Sequence, residues 1–380
     1  TYVTAVGQLP AAIDRKIPAP ALSPTEPDRV RLDTGSPWTD PRLSAGWRRA
    51  WREVSAARIP RGYPDPAGLA ELRVELARYV ARTRGLACGP EEVLVTGGTA
   101  HGFGLLLGGL GDGAIAVEDP GYRAAVATAQ QAGRAVVDVP LDAEGIDVRA
   151  LRSSRADIRA VYVTPAHQHP MGITMSAARR IALLAEATRR DAVVVEDDYD
   201  SEFRYDVAPL PALAALDRDR VVYLGSASKS VHPGLRLGWL IAGPDRIARI
   251  ARERAARHDH PPWPVQRALL SMLRDGHLDR LVRSARRVYA ERSRLVAAAV
   301  GPYGNIGAPP AGMYLTLPLP GRVADSVREH CWRAGFEMPS LAEYSRTSGL
   351  TGLVIGFGGV TDAELARSLD VLTTALARHS

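Results

Sequence analysis

The chain has 380 residues, of which 46% are apolar and 24% are charged, and it carries a formal net charge of +6. This composition is ordinary for a globular protein of two or three domains. No apolar run reaches the roughly 18 residues of a membrane span and no secretory leader is visible, so we expect a cytoplasmic protein without a membrane partner. The two cysteines, Cys88 and Cys331, match no metal or disulfide framework.

The first 30 residues are rich in proline and alanine and have no usable periodicity. They predict a linker or an extended arm, and the absence of a methionine at Thr1 indicates that something upstream was removed or left out. Apolar side chains at helical spacing over residues 47–54 predict a short helix. A loop over residues 61–68 then precedes an amphipathic helix that is predicted from Leu69 to Arg82.

Between residues 90 and 245, short apolar runs mostly alternate with helical stretches such as Ser176–Arg190. Continuous runs of Val, Ile and Ala separated by helices predict a mostly parallel sheet that is covered by helices on both faces. The predicted strands are residues 93–95, 114–117, 135–139, 160–163, 192–195, 221–224 and 237–241. Ligands collect at the carboxyl ends of strands in such sheets, so the segments that follow these strands are candidates for the site.

Three of those segments contain glycine, aromatic or histidine residues that could contact a ligand. Residues 96–102 form a glycine-rich turn that opens a helix, which suits an anion at the helix N-terminus. Residues 118–123 place Tyr122 in a loop where its ring could stack on a planar ligand. Residues 164–172 contain two histidines, but no third ligand follows at a sensible spacing, so we expect no metal there.

A fourth segment, residues 196–203, clusters carboxylates directly after a predicted strand. Such a cluster could hold a divalent ion. The interpretation that we favour is that one aspartate, buried at the mouth of the sheet, faces a protonated ring nitrogen.

Lysine is almost absent from the chain, which contains only Lys16 and Lys229. Arginine can replace lysine on a solvated surface, but its guanidinium cannot supply the neutral amine that attacks a carbonyl to form an imine. Lys229 is therefore a candidate Schiff-base residue. Its neighbours Ser226 and Ser228 offer hydroxyl groups, and Arg236 could pair bidentately with a phosphate.

These motifs, in this order, resemble those of the fold type I pyridoxal-phosphate enzymes of the aspartate aminotransferase family. They resemble more closely the aminotransferase-like domain of the MocR subfamily of GntR-type transcription regulators. The similarity runs from Gly35 to the C-terminus, and it is carried by Gly62-Tyr63-x-Asp65-Pro66-x-Gly68, Glu118-Asp119-Pro120-Gly121-Tyr122, Thr164-Pro165-x-His167-Gln168-x-Pro170-x-Gly172, residues 196–203 and Ser226-x-Ser228-Lys229.

The resemblance implies an α/β fold with two domains. A large domain over residues 31–275 would bind the cofactor on a mostly parallel mixed sheet covered by helices, and a smaller C-terminal α/β domain would follow over residues 276–380. Residues 1–30 would be the N-terminal arm. In the smaller domain, Thr361 and Glu364 have the spacing of a capping box at the start of the last helix.

The resemblance also implies a role for each matching residue. Lys229 would form the internal aldimine with pyridoxal 5′-phosphate, Asp197 would pair with the ring nitrogen, and Tyr199 would hydrogen-bond the phenolic oxygen of the ring. The other expected cofactor contacts are Tyr63, Thr99, Ala100, Tyr122, His169, Ser226, Ser228 and Arg236. Tyr63 would reach the phosphate of the neighbouring subunit, so the site would need a homodimer.

Two positions depart from the pattern of the family. His169, with Gln168 beside it, stands where aminotransferases usually place an asparagine. The strand predicted near Leu353 lacks the arginine that normally binds the substrate carboxylate, and the nearest candidate is Arg346.

For function, the resemblance implies the effector-sensing and dimerisation domain of a MocR-type regulator, with an amine or amino acid as effector. Thr1-Tyr2-Val3 resembles the last strand of a GntR winged-helix domain, so we expect DNA to be bound only through such a domain upstream. The alternative is a free-standing pyridoxal-phosphate-dependent aminotransferase, in which Lys229 would shuttle the α-proton. A dimeric scaffold that uses the cofactor only structurally has no positive support.

Overall fold

A computed structural model describes residues 29–39, 44–205, 211–306 and 311–379. Most of the predicted N-terminal arm, residues 1–28, lies outside the described residues. Within the described part, no helix is both long enough and apolar enough to cross a membrane.

An eight-stranded mixed sheet forms the centre of the larger unit. Its strands are β2 (Val93–Thr96), β3 (Ala114–Asp119), β4 (Val136–Asp142), β5 (Gly145–Ile146), β6 (Ile158–Val163), β7 (Val193–Asp198), β8 (Val221–Ser226) and β9 (Gly238–Ile241). They pair in the order β2-β9-β8-β7-β6-β3-β4-β5. The central strands are parallel, whereas β9 runs antiparallel to both of its neighbours and β5 runs antiparallel to β4. All seven predicted strands are confirmed, and only the two-residue β5 was not predicted.

Helices cover this sheet on both faces, as the apolar runs predict. Alternate residues of one strand enter different apolar clusters: on β6, Val161 and Val163 face one cluster, and Ala160 and Tyr162 face the other. The helices of this unit are α1 (Ser44–Ala56), α2 (Ala70–Arg84), α3 (Thr99–Gly108), α4 (Arg123–Gln131), α5 (Val148–Ser153), α6 (Ala177–Arg190), α7 (Pro244–Ala256) and α8 (Trp263–Arg274). Helices α3, α4 and α7 cover one face, and α2, α5, α6 and α8 cover the other.

A smaller unit follows, built around its own apolar cluster. Its helices are α9 (His277–Val300), α10 (Gly321–Arg333) and α11 (Asp362–Leu376), and its antiparallel strand pair is β10 (Tyr314–Pro318) with β12 (Gly352–Gly356). Helix α11 begins with the predicted capping box, in which the Thr361 hydroxyl accepts from the Glu364 amide and the Glu364 carboxylate accepts from the Thr361 amide.

The first described strand joins this smaller unit. Strand β1 (Val30–Arg31) pairs in parallel with β11 (Phe336–Glu337), and Leu32 is buried in the smaller unit's apolar cluster. The smaller unit thus combines residues from both ends of the described chain. The predicted domain boundaries at residues 30 and 275 stay a prediction.

Candidate functional site

A cavity of about 280 Å³ lies where the carboxyl ends of β2, β7 and β8 meet. The structure brings ten of the twelve predicted site residues together there. The lining residues are Thr34, Gly35, Gly98, Thr99, Ala100, Tyr122, His169, Asp197, Tyr199, Ser226, Ser228, Lys229, Pro233 and Arg236. Because these residues come from six separate segments of the chain, only the folded protein makes them neighbours.

Lys229 follows β8 and points its amine at the N-terminal segment of the described chain. Its Nζ donates to the backbone carbonyl oxygens of Thr34 at 3.0 Å and Gly35 at 2.9 Å. Burial lowers the pKa of Lys229, although the nearby carboxylates of Asp200 and Asp33 act in the opposite direction. A lowered pKa increases the fraction of neutral amine, which is the form that attacks a carbonyl.

Asp197, near the end of β7, has one carboxylate oxygen without a partner. Its Oδ2 accepts from the Tyr162 hydroxyl, but its Oδ1 is buried and has no hydrogen-bond partner among the described residues. Burial raises the pKa of Asp197 to about 7, although the hydrogen bond from the Tyr162 hydroxyl opposes the shift. An unpartnered buried carboxylate oxygen beside a cavity fits a cationic N–H group of a ligand.

At one side of the cavity, several donors surround a tight glycine turn. Gly98 has φ +106°, a conformation that side chains rarely adopt, and a Cβ atom added there would contact the Arg236 guanidinium at 3.6 Å. The next residue, Thr99, begins α3, so the first amides of that helix also point toward this region. Across the turn, the Ser228 amide donates to the Ser226 Oγ at 3.0 Å. These donors fit a phosphate group.

Aromatic and imidazole rings form another wall of the cavity. The ring centroids of Tyr122 and His169 lie 5.8 Å apart at an interplanar angle of 82°. Burial, together with the charge of Lys229, lowers the pKa of His169 to about 3, so its imidazole is neutral at neutral pH. The Tyr199 hydroxyl contacts the Tyr314 hydroxyl at 2.7 Å and donates to the His167 carbonyl at 2.9 Å.

Two predicted site residues do not line the cavity. The Tyr63 side chain is 77% exposed and stacks on His260 with 5.1 Å between the ring centroids. Its expected contact with the cofactor of a neighbouring subunit stays a prediction. Arg346 instead directs its Nε at the Asp138 carboxylate, 3.2 Å away, while its amide donates to Asp119.

Some residues of the site were not predicted from the sequence. Thr34 and Gly35 belong to a turn whose composition gives no sign that it reaches a lysine nearly 200 residues away. Tyr162 lies inside the apolar run of β6, where an aromatic residue usually indicates packing. His167 was predicted as part of the motif over residues 164–172 but was given no role in the site, whereas its Nδ1 lies 2.8 Å from Asp200 Oδ2.

Glu118 lies just outside the cavity, in β3. Its Oε2 accepts from the Thr164 hydroxyl at 2.7 Å and from Gln168 Nε2 at 3.2 Å. Burial raises the pKa of Glu118 from 4.5 to about 7, because desolvation outweighs these hydrogen bonds. The folded protein therefore holds the Glu118 proton more tightly than the unfolded chain does.

This raised pKa gives a pH-dependent effect on stability. Between pH 4.5 and about 7, the contribution of Glu118 to the free energy of unfolding falls as pH rises. We expect Glu118→Gln to remove that part of the decline, so the variant gains stability relative to the original protein as pH rises. Urea unfolding of the cofactor-free protein at several pH values measures this. The exposed Glu71→Gln is the control, and equal pH slopes for all three proteins would contradict the assignment.

The fold and the arrangement of the site are those of a known family of proteins. The chain belongs to the aminotransferase class I and II family, whose pattern matches residues 27–370. An α-aminoadipate aminotransferase from Thermus thermophilus, LysN, was solved in complex with N-(5′-phosphopyridoxyl)-L-leucine. Its structure superposes with a TM-score of 0.82 at 25% identity, covering 93% of each chain.

Within this family, the chain is a member of the MocR subfamily of GntR-type regulators. It is 35% identical to the pyridoxine biosynthesis transcriptional regulator PdxR of Corynebacterium glutamicum, over 96% of this chain and 78% of that protein. It is 30% identical to the probable rhizopine catabolism regulatory protein MocR of Rhizobium meliloti, over 92% of this chain and 73% of that protein.

Proposed function

We propose that the chain is the pyridoxal-phosphate-binding, effector-sensing and dimerising part of a MocR-type transcription regulator. The observation that carries the proposal is that Asp197 Oδ1, which has no partner among the described residues, borders the same cavity as a buried lysine amine and a cluster of hydrogen-bond donors. Similarity to two transcription regulators over more than nine tenths of the chain favours regulation over metabolism.

When bound, pyridoxal phosphate supplies an aldehyde that bonds covalently to amines and a ring that withdraws electrons. Lys229 would hold the cofactor through its Nζ. Asp197 would hold a proton at the ring nitrogen, and Tyr199 would donate to the phenolic oxygen of the ring. The donors around Gly98 would bind the phosphate, with Thr99, Ala100, Ser226, Ser228 and Arg236 as its ligands. Tyr122 and the neutral His169 would pack against the ring.

An amine or amino acid effector would displace Lys229 from the cofactor. The displaced ammonium group already has acceptors in the fold, since Thr34 and Gly35 present two carbonyl oxygens to Nζ. A second cavity shares these two residues and Pro233 with the first, so it offers room for the rest of an effector.

The proposal places the polar end of the effector in that second cavity. Arg123 lines it, with its guanidinium 2.8 Å from Glu343, and Arg328 approaches the same carboxylate at 3.5 Å. Strand β12, where aminotransferases carry their carboxylate-binding arginine, is entirely buried here and starts Gly352-Leu353-Val354. Arg346, the arginine predicted from the sequence, would need to leave Asp138 to take part.

The partners follow from the same proposal. A homodimer would bring Tyr63 of one subunit to the cofactor of the other. DNA would be contacted through a winged-helix domain, which agrees with the description of the relative PdxR as an HTH-type regulator. This chain would then act in the cytoplasm as the part that binds the effector and thereby changes the affinity of the dimer for DNA.

The alternative is a working aminotransferase, which the likeness to LysN favours. An absorbance spectrum taken before and after addition of amino acids and amines, under single-turnover conditions, distinguishes the two. For a sensor, we expect the visible band of the bound cofactor to shift and persist, with no pyridoxamine phosphate formed. If pyridoxamine phosphate accumulates and a keto acid restores the band, the chain is an enzyme and the sensor proposal is wrong.

A further inference from the structure

A separate cavity of about 220 Å³ lies between α2, α9 and the 3₁₀ turn Ser201–Phe203. It shares no lining residue with the cavity around Lys229. Its wall is rich in arginine, with five guanidinium groups from α2, α9 and the residue that follows the turn. The arginines are Arg82, Arg84, Arg204, Arg283 and Arg286.

Three of these five arginines have no carboxylate partner among the described residues. Arg82 is paired with Asp279 at 3.1 Å, and Arg84 is paired with the buried Asp198. The remaining guanidinium groups belong to Arg204, Arg283 and Arg286, and none of them takes part in an ion pair within the described part of the chain. The cavity therefore has an excess of positive charge.

The two carboxylates that line the cavity do little to offset that excess. Asp279 is already neutralised by Arg82. Glu202 accepts a hydrogen bond from the Tyr79 hydroxyl at 2.9 Å, and burial raises its pKa to about 7, so it is only partly ionised at neutral pH. Neither acid is placed to satisfy the three unpaired arginines.

Two polar groups in the wall also lack partners. Ser201 is only 5% exposed, and its hydroxyl has no hydrogen-bond partner among the residues that the structure describes. Arg204 uses one terminal nitrogen to bond the Ala166 carbonyl and the Thr174 hydroxyl, while its buried Nε is unpaired within the same described set. Leaving such donors unsatisfied is costly, and a bound acceptor would remove the cost.

We propose that this cavity binds a phosphate-type oxyanion, either free phosphate or the phosphate group of a small monoester. Three guanidinium groups have no carboxylate partner in the described part of the chain, although one Arg286 nitrogen donates to the Arg204 carbonyl at 2.6 Å. Their remaining N–H groups and the Ser201 hydroxyl supply several donors, which suits the acceptor-rich tetrahedral anion better than a planar carboxylate. The cavity continues along α9 into a second space of about 460 Å³ that shares Arg283 and Arg286. That space leaves room for the organic part of a monoester.

The proposed anion site is connected to the cofactor cavity by the short chain segment from Tyr199 to Ser201. Ser201 directly follows Asp200, whose carboxylate contacts His167 at 2.8 Å. The Tyr199 hydroxyl, in turn, donates to the His167 backbone and lines the cofactor cavity. An anion bound at Ser201 thus touches the same short segment that carries Tyr199.

Isothermal titration calorimetry with inorganic phosphate tests the proposal. The protein is first saturated with pyridoxal phosphate, and the Arg236→Gln variant is titrated in parallel, so that phosphate taken up by the cofactor cavity is recognised. We expect one saturable phosphate per chain that survives Arg236→Gln. The double variant Arg283→Gln/Arg286→Gln should weaken it by about tenfold or more, since charged hydrogen bonds are lost. Ser201→Ala should weaken it by a smaller factor.

The control changes the net charge by the same amount elsewhere. Arg252→Gln/Arg294→Gln removes two exposed arginines outside the cavity and should leave phosphate affinity unchanged. Titration with glycerol phosphate and with succinate distinguishes the ligand: tighter binding of glycerol phosphate indicates a monoester, and tighter binding of succinate overturns the phosphate assignment. Phosphate uptake that Arg283→Gln/Arg286→Gln leaves intact, or that Arg236→Gln abolishes, also overturns the proposal.

Discussion

The Lys229→Ala variant is expected to lose the visible absorbance of lysine-bound pyridoxal phosphate completely. Alanine has no amine, and the other lysine of the chain, Lys16, lies outside the described residues. Within the described part of the chain, Lys229 is the only lysine, and its Nζ lies beside the residues predicted to contact the ring and the phosphate. Absorbance spectra and mass spectrometry after borohydride reduction measure the loss.

Lys229→Arg is the matched control. It keeps a cation that can donate to the Thr34 and Gly35 carbonyls, but a guanidinium stays protonated and cannot bond to an aldehyde. We expect this variant to stay folded, with a melting temperature near that of the original protein, and still to lose the band. A reducible cofactor adduct that persists in either variant would sink the assignment of Lys229.

The second large effect is expected from Asp197→Asn. Without the carboxylate, a protonated ring nitrogen would be buried with no counter-charge, and breaking a buried ion pair in this way costs about 3–5 kcal/mol. Since about 1.4 kcal/mol corresponds to tenfold in affinity, cofactor binding should weaken by roughly 100-fold or more. Fluorescence titration with pyridoxal phosphate measures the change.

Glu202→Gln provides the comparison for this variant. Glu202 is a half-buried carboxyl whose pKa desolvation also raises to about 7, but it lines the other cavity. Its neutralisation should leave cofactor affinity nearly unchanged. If Asp197→Asn and Glu202→Gln have the same effect, Asp197 acts on stability and does not face the ring nitrogen.

Much of the fold could be predicted because its strands are buried on both faces. A strand that is buried on both faces is apolar throughout, so runs such as Val93–Val95 and Val221–Leu224 predict such strands. The location of the site could also be predicted, since the carboxyl ends of parallel strands lie at one edge of the sheet and ligands bind there. That rule accounts for Asp197 and Lys229 lying on one cavity.

Other parts of the site could not be predicted because they depend on contacts between distant segments. The placement of Thr34 and Gly35 depends on the pairing of β1 with β11, and two-residue strands have no periodicity to read. The arginine cavity draws on α2, α9 and the turn at Ser201, each of which looks like an ordinary amphipathic or polar stretch alone. Arg346 was assigned from its sequence neighbourhood, which could not show that Asp138 lies opposite it.

The pairing of β1 with β11 also determines when the smaller unit can be completed during synthesis. Val30 leaves the ribosome about 300 residues before Phe336, its partner in the parallel pair. At about 5–20 residues per second, that delay is roughly 15–60 s. Until then the apolar cluster that buries Leu32 is incomplete, whereas every strand of the larger sheet has been translated once β9 ends at Ile241. The segment that brings Thr34 and Gly35 to Lys229 is thus translated ahead of the rest of the described chain but is anchored only after Phe336 has been made.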